Sequence, residues 1–99
     1  MTKIIAVDLD GVLCEDTLGY DHLAIYHKKP IKKNIDIING LFSRQIFIII
    51  YTCRREDARI STEAWLKTNG VHYHVLVMEK VYFDVYIDEK RKFQAIEGM

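Results

Sequence analysis

The sequence predicts an α/β domain: a three-layer, Rossmann-like sandwich whose mostly parallel sheet has helices on both faces. Two observations point to this class. Short apolar runs rich in β-branched residues alternate with segments whose apolar residues recur at helical spacing, an order typical of parallel sheets with crossover helices. The two strongest runs, residues 3–7 and 46–51, are almost continuously hydrophobic, as expected of strands buried on both faces.

The predicted elements begin with a strand over residues 3–7. The segment 14–29 has no clear period and is predicted to be a loop or small hairpin over the end of that strand. Pro30 then opens a helix, because the fixed backbone angle of proline suits a first helical turn. The apolar stripe of this helix consists of Ile31, Ile35, Ile38 and Phe42.

The middle of the chain predicts a second strand over residues 46–51 and a second helix over residues 57–69. Asp57 has a side chain suited to capping that helix, and Gly70 is suited to ending it. The candidates for the buried face of the helix are Ala58, Ala64, Trp65 and Leu66.

Two further strands are predicted over residues 75–77 and 85–87, and the tail 89–97 is long enough for a short last helix. Right-handed crossovers between parallel strands place the carboxyl ends of the first, second and fourth strands along one edge of the sheet. Open α/β sheets bind their ligands at this edge. Three polar clusters fall there: Asp8 with Asp10, Thr52 to Arg55, and Asp88 with Glu89.

Composition limits the classes of function. The 99 residues suit a single domain over residues 1–99, and 14 basic residues balance 14 acidic ones. Because the net charge is zero, no overall electrostatic field attracts nucleic acid or anionic membranes, and neither is expected as a partner by default. No apolar run is long enough to span a bilayer and no signal-type segment is evident, so we expect a cytoplasmic protein. Cys14 and Cys53 lack a metal-type spacing and are expected to be reduced.

Asp8 and Asp10 are the first candidates for chemistry. If the chain stays extended through Leu9, their side chains point the same way, and Gly11 allows a sharp turn directly afterwards. Two carboxylates this close repel unless a cation, a proton or hydrogen bonds compensate them, and Mg²⁺ is the natural cation for oxygen ligands. The alternative is a strand end whose acids cap the next turn, because Asp-Gly is a common turn dipeptide.

Taken in order, these residues resemble the four motifs of the haloacid dehalogenase superfamily of Mg²⁺-dependent phosphohydrolases. The first motif, Asp-x-Asp-Gly-Thr/Val, is matched by residues 8–12. The second, a Ser or Thr ending an apolar strand, is matched by Thr52. The third, a lysine, is matched by Lys80, and the fourth, a pair of acids, by Asp88 and Glu89. The resemblance spans residues 8–89 and extends, in finer pattern, to small capless members sometimes attached to polysaccharide biosynthesis.

The resemblance implies a role for each matched residue. Asp8 is the expected nucleophile, which forms an aspartyl-phosphate, and Asp10 is the expected acid and base. Mg²⁺ is the expected cofactor, held by Asp8, Asp10 through its backbone carbonyl, and Asp88. Thr52 is expected to bind phosphoryl oxygens and Lys80 to neutralise their charge.

Several positions near the motifs have two open interpretations. Arg54 or Arg55 is placed to reach an anionic substrate, or to pair on the surface with Glu56 or Asp57. Cys53 adjoins Thr52 and is included with Arg54 among the substrate-binding candidates. The alternative interpretation of Cys14 and Cys53 is that both are small buried residues that pack under the loops. Glu89 stands where the family more usually has a second Asp, and its longer side chain is expected to alter the metal surroundings.

The spacing between motifs leaves no room for an inserted cap domain, so we expect an open site. Such a site suits a phosphorylated small molecule, a larger extended substrate, or cover from a second copy in a homo-oligomer, which would also protect sheet edges. Three functions remain open. The first is a phosphatase for phosphomonoesters, with a sugar phosphate as one candidate. The second is a binding or regulatory module of low or no activity. The third is a polynucleotide-end phosphatase.

Overall fold

A computed structural model describes residues 3–17 and 19–90, which form a small α/β fold around a three-stranded parallel sheet. The strands, in the spatial order β1-β2-β3, are β1 (Ile4–Val7), β2 (Phe47–Tyr51) and β3 (Val75–Val77). The helices are α1 (His22–Tyr26), α2 (Lys32–Ser43) and α3 (Arg59–Thr68), the last preceded by a 3₁₀ turn at Glu56–Ala58. Among the described residues, no helix has the length and apolar character needed to cross a membrane.

One face of the sheet carries the core. Ile5 pairs with Ile48, and Ile50 pairs with both Val7 and Leu76, so these side chains share a face because strand side chains alternate. Ile48 and Ile50 are fully buried. The strand predicted over residues 46–51 is therefore confirmed as β2, which begins at Phe47 and is the central strand of the sheet.

The other face is more open. Ile4 is 63% exposed, Val75 39% and Tyr51 37%. The C-terminal end of α3 lies near α2, since the Asn39 side chain of α2 donates a hydrogen bond to the carbonyl of Gly70, just beyond α3, over 2.8 Å. Consecutive right-handed crossovers between neighbouring parallel strands place their helices on one face. The third layer stays a prediction.

The prediction of a fourth strand over residues 85–87 is wrong for the described structure, where these residues lie outside the sheet. β-Propensity expresses how well a side chain packs on a pleated, half-buried surface, and this segment is mostly exposed. Over residues 81–87, the exposed large apolar side chains are Val81, Tyr82, Phe83, Tyr86 and Ile87. The predicted tail helix 89–97 lies outside the described residues except for 89 and 90, which form a turn.

The helix starts differ from the predicted ones. Helix α2 begins at Lys32 rather than Pro30, because Pro30 forms an isolated bridge with Cys14. Helix α3 begins at Arg59, because the 3₁₀ turn precedes it and Asp57 makes no capping hydrogen bond. Gly70 has a positive φ of 66°, as its predicted role at the helix end requires.

The segment 14–29 is closed at its two ends by that Cys14–Pro30 bridge, as a small hairpin would be, but it also contains α1. The Asp21 side chain caps α1 by accepting a hydrogen bond from the Ala24 N–H over 2.9 Å. Trp65 of α3 is 1% exposed, and its indole N–H donates to the Lys28 carbonyl over 2.8 Å. This bond attaches the segment to α3 and fixes the position of Lys28.

We predict that Trp65→Phe lowers the free energy of unfolding by about 2 kcal/mol, because it leaves a buried carbonyl without its donor and removes packed volume. Urea denaturation measures the change. The matched control on the same helix is Ile60→Ala, whose side chain is 83% exposed and whose loss should cost less than about 0.5 kcal/mol. Equal losses in the two variants would contradict the anchoring role of Trp65.

Candidate active site

Three of the sequence-predicted site residues lie at or just beyond the carboxyl ends of the three strands. Asp8 follows β1 directly, Thr52 follows β2 directly, and Lys80 lies three residues beyond β3. The Thr52 N–H donates to the Val77 carbonyl over 3.0 Å, and the Lys80 N–H donates to the Thr52 carbonyl over 2.9 Å. These two backbone bonds hold the loop after β3 against the end of β2, and so place Lys80 beside the end of the sheet.

Asp8 and Lys80 form one ion pair of the site. The Lys80 Nζ lies 3.3 Å from Asp8 Oδ2, and Asp8 Oδ1 accepts a hydrogen bond from the Leu9 N–H over 2.8 Å. The Asp8 side chain is still 45% exposed. The carboxylate is thus oriented by two donors while part of it faces solvent, which is the arrangement a nucleophile or a metal ligand needs.

Asp10 and Arg54 form a second, much more buried ion pair. The Arg54 Nε donates to Asp10 Oδ2 over 2.9 Å and Nη2 donates to Oδ1 over 2.7 Å, a bidentate fork. Nη1 donates to the Thr62 hydroxyl over 2.9 Å. The Arg54 side chain is 1% exposed and that of Asp10 14%. Each guanidinium nitrogen is engaged within the protein, so Arg54 holds Asp10 and has no nitrogen without a partner.

Two further residues face Asp10. The Lys28 Nζ lies 3.8 Å from Asp10 Oδ1 and also donates to the Thr17 carbonyl. The Cys14 thiol donates to the same carboxylate oxygen over 3.5 Å. Burial, followed by the negative charge of Asp10, raises the pKa of the Cys14 thiol to about 12. Cys14 is therefore a neutral donor and not a reactive thiolate.

The charge state of Asp10 follows from these neighbours. Burial acts to raise the pKa of the Asp10 carboxyl, but the hydrogen bonds and positive charge of Arg54, with help from Cys14 and Lys28, outweigh burial and hold the pKa below its ordinary value of 3.8. Asp10 is consequently a carboxylate at neutral pH. In this state it accepts a proton and has none to give.

Thr52 is 1% exposed, and its hydroxyl oxygen accepts a hydrogen bond from the Arg54 N–H over 3.2 Å. Cys53 is exposed. The assignment of Thr52, Cys53 and Lys80 to phosphate binding stays a prediction, and it fits their place at the strand ends. Arg54 was also predicted to bind substrate, but here it binds Asp10.

The three predicted metal ligands, Asp8, Asp10 and Asp88, do not form a metal-binding group in the part of the chain that the structure describes. There, no set of three or more His, Cys, Asp or Glu side chains is arranged to hold an ion. The physical reason is that residues 85–87, which should carry Asp88 to the sheet edge, are not paired with it. The Asp88 carboxylate accepts a hydrogen bond from the Lys90 N–H over 3.0 Å.

The residues at the sheet edge nevertheless fit Mg²⁺ in part. This ion is commonly held by one or two carboxylates, with water completing the octahedron. Asp8 offers a partly exposed carboxylate. Both carboxylate oxygens of Asp10 are bonded to Arg54, so Asp10 is suited to contribute its backbone carbonyl.

Sequence reasoning did not place Lys28, Thr62 or Tyr20 beside Asp10 and Arg54. Lys28 belongs to a basic stretch with Lys29, Lys32 and Lys33, and such a stretch is typical of a solvated surface or an anion-binding one. Lys28 is nevertheless 2% exposed and faces Asp10. No local pattern marks it, because its burial depends on Trp65, 37 positions away. The Tyr20 ring centroid lies 4.8 Å from Lys28 Nζ, and burial, then the hydrogen bond to Asp16, raises the Tyr20 pKa to about 12.

A cavity of about 390 Å³ adjoins Asp10. Its lining consists of Asp10, Tyr20, Cys53, Arg54, Arg55, Asp57 and Ala58. Arg55 is unlike its neighbour: its side chain is 85% exposed and only reaches Asp57 at 4.0 Å. The surface-pairing interpretation therefore describes Arg55, and the buried position belongs to Arg54.

We predict that Arg54→Met lowers the free energy of unfolding by about 3 kcal/mol, because removing one partner leaves a buried carboxylate uncompensated. The adjacent exposed arginine supplies the control, Arg55→Met, which should change stability by less than about 0.5 kcal/mol. Denaturant titrations measure both, and Asp10→Asn combined with Arg54→Met should cost less than the sum of the single changes. Strict additivity would show that the two side chains do not stabilise each other.

The lowered pKa of Asp10 also predicts a dependence of stability on pH. A carboxyl whose pKa is lower in the folded state contributes stability that is fully present above its unfolded pKa of about 3.9 and is lost as pH falls through the folded pKa. The stability difference between wild type and Asp10→Asn should therefore be constant above about pH 5 and shrink below about pH 4. Urea titrations between pH 3 and 7 measure it, and a difference that does not change with pH would contradict the lowered pKa.

Comparison with known proteins shows the fold. No protein-family model matches the sequence, and no curated protein matches it. A crystal structure of a Vibrio cholerae protein matches with a TM-score of 0.71 and 20% identity, over 88% of this chain and 80% of that one. Two structures of the Pnkp1/Rnl/Hen1 complex, one described as an RNA repair complex, match with TM-scores of 0.68 and 0.69, each at 20% identity.

Those two matches cover 78% and 94% of this chain but only 25% and 32% of the larger chains. The present chain therefore corresponds to a quarter to a third of that protein. At 20% identity these likenesses bear on the fold alone.

Proposed function

We propose that the protein is a Mg²⁺-dependent phosphatase that hydrolyses a phosphomonoester through an aspartyl-phosphate on Asp8. One observation carries the proposal. Two carboxylates two residues apart have different surroundings: Asp8 is 45% exposed beside Lys80, and Asp10 is clamped by Arg54 with 14% of its side chain exposed. Carboxylates placed in unlike environments at one site are typical of a nucleophile and an acid/base acting together.

In the first step, an Asp8 carboxylate oxygen bonds to phosphorus as the bond from phosphorus to the ester oxygen breaks. The electron pair of that bond goes to the leaving oxygen, which takes up a proton. Asp8 suits the attack because the Leu9 N–H and Lys80 orient it. Lys80 also reduces the repulsion between the carboxylate and the incoming phosphate.

Asp10 supplies and removes the protons. It is held as a carboxylate in the free protein, and an arriving phosphate dianion raises its pKa because like charges disfavour ionisation. Asp10 therefore takes up one proton from solvent as the substrate binds, gives that proton to the leaving oxygen, and is returned to the carboxylate. It then takes a proton from the water that attacks the aspartyl-phosphate, and breaking the bond between Asp8 and phosphorus releases inorganic phosphate.

Asp8, the backbone carbonyl of Asp10 and Asp88 would hold Mg²⁺, which when bound would supply positive charge to the phosphoryl oxygens. Thr52, Cys53 and Lys80 then hold the phosphoryl group from the ends of β2 and β3. A sugar phosphate is one candidate substrate.

Two other functions each have one observation in their favour. Removal of phosphate from polynucleotide ends is favoured by the likeness to a chain of an RNA repair complex, although the zero formal net charge gives no general attraction for nucleic acid. A binding or regulatory module of low activity is favoured by Asp88, which forms no metal group with Asp8 and Asp10 in the described residues.

We predict that purified protein releases phosphate from p-nitrophenyl phosphate with Mg²⁺ and loses this activity with EDTA. Asp8→Asn should lower kcat about a thousandfold or more, because it removes the nucleophile. Asp36→Asn, an exposed acid on α2, is the control and should retain activity within twofold. Unchanged release by Asp8→Asn would reject the mechanism, and Mg²⁺ binding without turnover on a broad phosphate-ester panel would favour the regulatory module.

A further inference from the structure

The cavity beside Asp10 has no role in the steps above, and its position suggests one. Asp10 is among its lining residues, and Asp8 and Lys80 are not. The cavity therefore adjoins the group that transfers the proton, not the group that attacks phosphorus. Because Asp10 protonates the leaving oxygen, the rest of the leaving alcohol must lie next to Asp10.

We propose that this cavity, here called the leaving-group pocket, binds the alcohol part of the substrate, and that this alcohol carries a ring and a second anionic group. The proposal rests on the proposed function. Its volume of about 390 Å³ is within the usual range of small-molecule sites, and is sufficient for one sugar or nucleoside ring.

The ring is inferred from Tyr20. This side chain is 54% exposed, yet it is held in place by a hydrogen bond of 3.0 Å from its hydroxyl to Asp16. Two cations, Lys28 Nζ and the Arg54 guanidinium carbon, lie 4.8 and 5.9 Å from the ring centroid. An exposed aromatic ring fixed before binding is a low-cost platform for stacking, because little conformational freedom remains to be lost.

The second anionic group is inferred from Arg55. The Arg55 side chain is 85% exposed, and its one ion pair among the described residues is with Asp57, at 4.0 Å, which is itself 80% exposed. Arg54, the other arginine of the pocket, has every nitrogen bonded to protein atoms. Arg55 is thus the pocket's available anion receptor, and a carboxylate or phosphate suits its geometry.

The substrate is thus a ring that bears the phosphate to be removed and a second anionic group. Two classes of compound have this chemistry. One is a phosphorylated sugar, and the other is a nucleotide or the end of a polynucleotide. Glucose 1,6-bisphosphate and thymidine 3′,5′-bisphosphate represent the two, with glucose 1-phosphate and thymidine 3′-monophosphate as partners that lack the second phosphate. β-Glycerol phosphate, which has no ring, is the reference substrate.

The test measures kcat/KM with Mg²⁺ for these five substrates in wild type, Tyr20→Ala, Tyr20→Phe and Arg55→Met. In wild type, kcat/KM for one of the bisphosphates should be at least tenfold higher than for the corresponding monophosphate. The bisphosphate that shows this preference identifies the class of compound. Arg55→Met should abolish that preference. Tyr20→Ala should lower kcat/KM for the ring substrates at least tenfold more than for β-glycerol phosphate. Tyr20→Phe, which keeps the ring but loses its hydrogen bond to Asp16, should show a smaller loss than Tyr20→Ala.

The matched controls are Tyr26→Ala and Arg44→Met, which remove exposed side chains outside the pocket and should leave the substrate preferences as in wild type. Equal losses on all five substrates in Tyr20→Ala and Arg55→Met would overturn the proposal, as would a wild-type preference for β-glycerol phosphate.

Calorimetric titration with the two bisphosphates separates this proposal from the proposed function. Binding that weakens at least tenfold in both Tyr20→Ala and Arg55→Met supports the pocket even if the protein shows no turnover, in which case the phosphatase proposal alone fails. Turnover of p-nitrophenyl phosphate with no binding of either bisphosphate overturns the pocket and leaves the phosphatase proposal standing.

Discussion

The ion pair between Asp10 and Arg54 is the interaction on which the rest of the site depends. It joins the loop after β1 to the loop after β2, and Arg54 extends the connection to α3 through Thr62. A buried ion pair gains stability only when its remaining donors and acceptors are satisfied. Here Cys14, Lys28 and Thr62 surround the pair, and the described residues contain no buried side-chain nitrogen or oxygen without a hydrogen-bond partner. The fold therefore keeps a charged centre at the sheet edge without an uncompensated charge.

This ion pair also gives the two carboxylates different surroundings. Arg54 occupies both oxygens of Asp10, which leaves Asp8 as the more exposed carboxylate of the pair. Lys80 then faces the more exposed carboxylate, so each acid has its own cation. Without this division, two carboxylates two residues apart would repel each other and share protons. In the proposed mechanism, separate cations let one carboxylate attack while the other transfers protons.

The parts of the structure that could be predicted from sequence are those fixed by local patterns. The strand before Asp8, the strand before Thr52 and the helix with its buried Ile35 and Ile38 follow from apolar periodicity. The Asp10–Arg54 pair joins residues 44 positions apart, and no local pattern contains that distance. The prediction of a strand over residues 85–87 was wrong for a related reason. An apolar run forms a strand only when the edge of a sheet pairs with it.

The charge state of Asp10 is the central claim, and an NMR titration of its side-chain carboxyl carbon tests it most directly. We predict a midpoint below 3.8 in the wild-type protein, and a higher midpoint in Arg54→Met, provided that the variant is folded by its amide spectrum. If the variant unfolds, the salt dependence of the wild-type midpoint is measured in place of the variant's midpoint. This dependence should be small because the pair is buried. A wild-type midpoint at or above the ordinary value would contradict the account, because Arg54 would then not hold Asp10 as a carboxylate.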